Sequence, residues 1–375
     1  MKRNDKIVLV NQVAGYLTID VTNAFEKNYS SVALITGLVR IPERLSSGVV
    51  VSKVCKYNRR SVITRTLSWV ISTIQIWFLL LFKYRNYKIC FFTNPPTSYF
   101  VLPLLLKRKY GIVVYDLYPD SLKLVGVGDR NPLYKFWAKL NRRYFNKAEK
   151  IITLSNGMAD GVEQYIQRDR IDIIHNWPSD VYKPITHDNN PFLIELGLQD
   201  KFIVLYSGNL GFGYNMHILI DIAELLKDYA DIHFIIIGEG GKKNEMMEKA
   251  KNMDLNNISF LPYQPEDRLQ YTLGCSDIAV ISLGDDEFDV SMPSKTYNYI
   301  STGAPLMCIG SEKSELASFI REHKNGICKN KRCINEFADF ILKVRNNDAI
   351  LKELSSNSKL AAKAYTKENA NKYIF

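Results

Sequence analysis

Short apolar runs recur along the chain, each ending in a polar or glycine-bearing break and followed by a longer segment of helical period. Runs at residues 7–10, 31–38, 88–93, 112–117, 151–154 and 171–174 predict buried strands in the first half. Runs at 202–206, 232–237, 258–261, 278–282 and 306–309 do the same in the second. They are continuous rather than alternating, as a parallel sheet covered on both faces requires. Helical segments at 19–27, 102–106, 132–150, 157–166, from 212 to 226 and 242–251 separate them, and helices are expected to fill the chain after 309. This rhythm implies an α/β protein with a parallel sheet in each half. A polar stretch at 186–190 reads as the hinge. The expected division is therefore 1–185, 186–363 and a terminal helix at 364–375. A chain of 375 residues has ample material for two cores.

Residues 57–83 break the rhythm. From Leu67 to Phe82 there are sixteen residues without a charge. As a helix that stretch would be about 24 Å long, against roughly 30 Å of bilayer hydrocarbon. Ser68, Ser72, Thr73 and Gln75 dilute it further. The expectation is a core helix whose exposed part touches a membrane, with Arg59, Arg60, Arg65, Lys83 and Arg85 suited to anionic headgroups. Whether it docks or inserts stays open.

Charge sharpens this picture. Residues 1–190 hold 28 Lys and Arg against 14 Asp and Glu, a net of +14. Residues 191–375 hold 21 against 25, a net of −4. Such asymmetry points the first half at an anionic partner, nucleic acid or lipid, unless it is simply a solvated basic surface. Segment 132–150 sets Tyr134, Phe136, Trp137 and Tyr144 among Lys135, Lys139, Arg142, Arg143 and Lys147, which suits either partner. The six cysteines form no Cys-x-x-Cys pair and read as reduced thiols of a cytoplasmic protein. Run 7–10 is too short for a signal peptide. The histidines show no zinc spacing, and no Asp-x-Asp occurs, so no metal site is expected.

Candidate chemistry gathers in the second half. Four loops, at 208–211, 238–241, 262–265 and 284–293, each follow a strand. Glycine there lets a ligand approach the backbone closely. The stretch 291–305, Ser-Met-Pro-Ser-Lys-Thr-Tyr-Asn-Tyr-Ile-Ser-Thr-Gly-Ala-Pro, reads as a helix with Ser294 as N-cap and Gly303 and Pro305 as the stop. A helix start with Lys295 in its first turn suits an anion. On these residues alone, an ordinary capped surface helix is the stronger reading.

The stretch resembles the donor-phosphate helix of GT-B glycosyltransferases, in the bacterial polysaccharide branch of glycosyltransferase family four. Residues 202–326 carry most of the likeness. In the first half, Asp116, Pro119 and Asp120 match the family's Asp-x-Trp-Pro-Asp element, with Tyr118 in the Trp position. The resemblance implies two Rossmann-like domains facing a cleft, an acceptor-binding first domain and a terminal helix crossing back to it. It implies a retaining, metal-independent transferase without a cofactor, moving a hexosyl or N-acetylhexosaminyl group from a nucleotide-sugar, expected UDP-linked. The acceptor would be a lipid-diphosphate-linked saccharide in capsule or O-antigen synthesis, with the protein peripheral on the inner face of the bacterial cytoplasmic membrane. By the same resemblance, Gly15 faces the cleft, and Gly208, Asn209, Gly238, Glu239, Gly240 and Tyr263 line the nucleotide. Ser294 and Lys295 meet the diphosphate, Asn298 the ribose, and Lys295 and Asp120 are catalytic. The sequence departs from the family at Asn209 and Tyr214, where an Arg and a Lys are usual, and at Val290 and Asn298, where two Glu are usual. Asp285, Asp286, Glu287 and Asp289 would lie by the sugar. A nucleotide-sugar 2-epimerase of the same fold, or a non-catalytic membrane or nucleic-acid binder, are the competing classes.

Overall fold

The computed structural model describes residues 3–58, 61–105, 108–179, 185–211, 215–284 and 292–375. It divides into two compact units: residues 1–176 with 367–375, and residues 177–366.

In the first unit the strands are β1 (Arg3–Val10), β2 (Val13–Ala14), β3 (Tyr29–Thr36), β4 (Leu38–Val39), β5 (Val49–Lys53), β6 (Lys88–Phe92), β7 (Tyr110–Val114), β8 (Lys150–Thr153) and β9 (Ile171–Ile173). Seven of them form one parallel sheet in the order β5-β3-β1-β6-β7-β8-β9, and β2 pairs with β4. Helices α1 (Tyr16–Asn28), α2 (Val62–Phe78), α3 (Pro132–Phe145) and α4 (Asn156–Glu163) cover it. Ile7, Val8, Leu9 and Val10 are all fully buried, because β1 lies inside the sheet with cover on both faces.

The second unit holds β10 (Phe202–Ser207), β11 (Ile232–Ile237), β12 (Ile258–Leu261), β13 (Ile278–Ser282), β14 (Leu306–Ile309) and β15 (Gly326–Lys329), in the order β12-β11-β10-β13-β14-β15. Around them run α5 (Pro191–Leu196), α6 (Ile218–Leu225), α7 (Lys243–Asn252), α8 (Leu269–Gly274), α9 (Lys295–Thr302), α10 (Glu315–His323), α11 (Ile334–Arg345) and α12 (Asp348–Ala362). Two apolar clusters, one on each face of the sheet, form its core.

Several elements differ from the sequence expectation: the helix expected at 102–106 falls in a 3-10 segment, Ser98–Leu104, and α5 was not expected. Strand β5 sits at a sheet edge and β15 is only four residues long with every residue half-buried, so neither shows a buried run. β15 therefore stands where only helix was expected. The expected helix at 364–375 is a 3-10 turn, Lys367–Tyr373, after α12 has ended at Ala362. Its Glu-Asn-Ala-Asn run brings asparagines, whose side chains compete for backbone groups and disfavour an α-helix. Segment 367–375 packs in the first unit, where the Lys150 ammonium donates to Lys372 O at 2.7 Å.

Candidate functional site

Both units have the doubly wound order, in which chain direction reverses across the sheet next to its first strand. Ligands in such sheets sit beyond the carboxyl ends of the strands at that reversal. In the second unit the reversal lies between β10 and β13. Gly208 follows β10, and Lys295, the first residue of α9, comes in after β13.

The Lys295 ammonium lies 4.2 Å from the centre of the Tyr206 ring. A Cβ on Gly208 would stand 2.5 Å from Nζ, so glycine is what leaves room for the cation. Tyr206 is held in turn, its hydroxyl donating to Asn209 O at 2.8 Å. Burial pulls the Lys295 pKa down to about 8. No carboxylate among the described residues pairs with it. A desolvated cation over an aromatic face, with no carboxylate beside it among the described residues, is a receptor for an anion.

Other expectations about this edge change in detail. Loop packing by itself requires glycine at 238 and 240. A Cβ on Gly238 would meet Gly208 O at 1.9 Å, and one on Gly240 would meet the Leu210 carbonyl carbon at 2.3 Å. The two loops are stitched by Leu210 N donating to Glu239 O at 2.9 Å. Ser294 occupies the N-cap position of α9, but its backbone is already helical and its side chain makes no capping bond. The Thr296 and Tyr297 amides turn back onto Pro293 O and Ser294 O. The helix start thus has fewer amides to offer than expected, which leaves more of the work to Lys295. Asn298 Oδ1 accepts from Ser179 N at 2.9 Å, and the Glu239 carboxylate takes the Lys243 ammonium at 2.7 Å. Asn209 and Tyr263 are exposed.

Two residues that matter here escaped the sequence reading. Tyr206 is the floor beneath the ammonium. The buried Tyr299 hydroxyl accepts from Ser207 N at 2.8 Å and so ties α9 to the end of β10. The one sequence signal was the tyrosine that closes the 202–206 run. Tyr214, Val290 and the acidic residues 285–289 lie outside the described residues, as do Arg59 and Arg60.

In the first unit, Gly15 stands at the start of α1 beside the reversal between β1 and β6, with open space where a Cβ would point. Asp120 is committed to its own unit. Tyr134 and Tyr165 donate to its two oxygens at 2.6 and 2.5 Å, and Lys123 stands 3.4 Å away. Asp116 is the exposed carboxylate of that loop. Tyr118 stacks on Trp137 at 5.4 Å, and its carbonyl takes the Asn141 amide at 2.6 Å.

Helix α2 reverses the usual amphipathic arrangement. Ser68, Ser72 and Thr73 are buried, while Leu67, Val70, Ile71, Ile74 and Phe78 are exposed, Phe78 by 60%. With the π-helical turn Leu79–Lys83 that continues it, residues 63–83 are long and apolar enough to cross a membrane. Among the described residues no three His, Cys, Asp or Glu converge as metal ligands.

Residues 193–363 match the family model described as glycosyl transferases group 1. The matched residues all lie within the second unit. The chain is 22% identical over 237 residues to WbjE of Pseudomonas aeruginosa, named as a probable glycosyltransferase; the match covers 61% of this chain and 59% of that one. It is 27% identical over 202 residues to WcaI of Escherichia coli K12, whose name assigns it to colanic acid biosynthesis, covering 52% of this chain and 49% of that one. The chain thus spans about half to three-fifths of the length of these curated relatives. Among solved structures, HepE of Anabaena in complex with UDP and glucose superimposes with a TM-score of 0.74 at 14% identity, covering 98% of each chain. WaaG, a glycosyltransferase involved in lipopolysaccharide biosynthesis, does so with 0.68 at 11% identity over 98% of this chain and 97% of that one. The fold is GT-B, two Rossmann-like domains.

Proposed function

We propose that this glycosyltransferase takes a sugar from a UDP-linked donor and passes it, with retention, to a lipid-diphosphate-linked saccharide in surface polysaccharide synthesis. The observation that carries the donor half is the Lys295 ammonium, desolvated over Tyr206 at the reversal of the second sheet with no described carboxylate beside it. Leaving of the nucleoside diphosphate builds negative charge on its terminal oxygen, and a fixed cation there lowers the barrier. Lys295 performs that task without a metal or a cofactor. The choice of UDP is supported by HepE, solved with UDP-glucose, and the polysaccharide setting by the names of WcaI and WaaG.

The acceptor half rests on the first unit. The net charge of +14 on residues 1–190, which hold most of that unit, favours an anionic acceptor and membrane, and the outward apolar stripe of α2 gives it the means to lie on a bilayer. The protein accordingly works peripherally on the inner face of the cytoplasmic membrane. The deciding experiment is a thermal-shift screen of the full chain against nucleotide-sugars, since a bound donor stabilises the folded state by mass action. UDP and UDP-sugars should raise the melting temperature, and Lys295→Met should abolish the rise. No shift with any nucleotide-sugar would sink the reading.

A further inference from the structure

A hollow of about 450 Å³ opens in the first unit where the C-terminal end of α3 meets the start of β7. Leu102, Leu105 and Tyr110 give it an apolar wall, Arg108, Arg143 and Lys147 give it cations, and its one carboxylate, Glu149, is taken by Lys109 at 3.0 Å. Arg108 is spoken for: it donates to Leu80 O at 2.9 Å and Tyr84 O at 2.7 Å, so it locks the hollow to the far end of the α2 stripe. Arg143 and Lys147 are exposed, and no described carboxylate pairs with either. Arg143 lies over the Tyr144 ring, 6.0 Å from its centre.

The surroundings say what such a hollow would take. Seven residues separate Phe136 from Arg143, nearly two helical turns, so both stand on one face of α3. Phe136 is 56% exposed and Leu104, at the lip, 59%. Phe100 joins these parts, its ring 6.5 Å from Phe136. Thr73 of α2 and Thr97 share a hydrogen bond of 2.7 Å, so the segment carrying Leu104 is pinned to α2. Exposed hydrocarbon, Leu104 at the lip and Phe136 on the same helix face, therefore adjoins a pocket with two uncommitted cations, and Arg108 ties that pocket to the π-helical turn that continues α2. We infer that this hollow seats the phosphate headgroup of an anionic phospholipid while the bordering apolar side chains enter the acyl region. A phosphodiester answers the cations, and only a lipid answers the hydrocarbon around them. The inference rests on the membrane reading above and adds a defined headgroup seat to it.

The test is sedimentation of the full chain with vesicles of phosphatidylcholine alone and of phosphatidylcholine mixed with phosphatidylglycerol. The unaltered protein should partition more strongly to the anionic vesicles. The double variant Arg143→Gln, Lys147→Gln should lose that preference, weakening anionic binding by about 10- to 30-fold while leaving zwitterionic binding as it was. Lys352→Gln, Lys359→Gln, the same charge change in the second unit, should have little effect. Equal losses from both pairs, or none from the first, would overturn the seat. Displacement by millimolar glycerol phosphate would overturn the lipid as its source. Loss of all vesicle binding on Leu67→Ser, Ile71→Ser, Ile74→Ser would leave docking standing even where the seat falls; a protein that bound neither vesicle would refute both.

Discussion

Lys295 ties the sequence to the chemistry most directly, and its protonation makes the tie testable. In the free protein its pKa sits near 8 because burial penalises the charged form. Below that pH the ammonium is present to meet a diphosphate; above it the attraction fades. Donor affinity should hold from pH 6 to about 8 and fall beyond, and Lys295→Arg, charged throughout, should flatten the fall. Calorimetry of UDP binding across this range checks both, and a profile identical in the two proteins would remove Lys295 from the site. Folding runs the opposite way. A lysine whose folded pKa lies below its unfolded value destabilises the folded state while charged, so this group's penalty is relieved as pH rises from about 8 towards 10.5. Lys295→Met should therefore leave the melting temperature of the ligand-free protein equal or higher while abolishing the donor's effect. A large loss of stability would show that the residue serves the core instead.

The glycine loops separate two roles that looked alike in the sequence. Gly208→Ala would push only the end of a flexible lysine, so it should weaken donor binding by about tenfold, some 1.4 kcal/mol, with little change in melting temperature. Gly238→Ala would drive a Cβ into the Gly208 carbonyl, which must move as backbone, and should cost on the order of 3 kcal/mol of stability. Comparison of the two melting curves checks the distinction; equal stability losses would contradict it. This difference was not legible beforehand, because spacing places a glycine in a loop without saying which backbone crosses it. Strands such as β11 and β13 were legible to the residue, since both lie inside the sheet and must be apolar throughout. The edges were not: β15 is partly solvated and leaves no run to read, and the Val49–Val51 run of β5 is cut short by Ser52 and Lys53, as its half-solvated edge position allows. Helix α2 was half legible. Its apolar stretch was plain, but that the hydroxyls turn inwards follows only from packing, as where Thr73 reaches Thr97. Asp120 stood out as a carboxylate beyond a strand, while the two tyrosines that claim it come from 14 and 45 residues away.

The uneven charge, +14 in residues 1–190 and −4 in the rest, gives the two proposed binding events different sensitivity to salt. Association with an anionic bilayer sums many exposed cations, each screened within a Debye length of about 10 Å at 0.1 M ionic strength. Donor binding depends instead on one desolvated ammonium, which mobile ions reach poorly. Raising ionic strength from about 50 to 500 mM should therefore weaken partitioning to anionic vesicles by tenfold or more and change the affinity for UDP by less than about threefold. Vesicle sedimentation and calorimetry on one preparation measure both. Equal losses would mean that the nucleotide too is held by solvent-exposed charge, and the desolvated Lys295 site would lose its standing. Vesicle binding indifferent to salt would mean that the outward hydrocarbon of α2 suffices for attachment, leaving the basic surface of the first unit to some other anion.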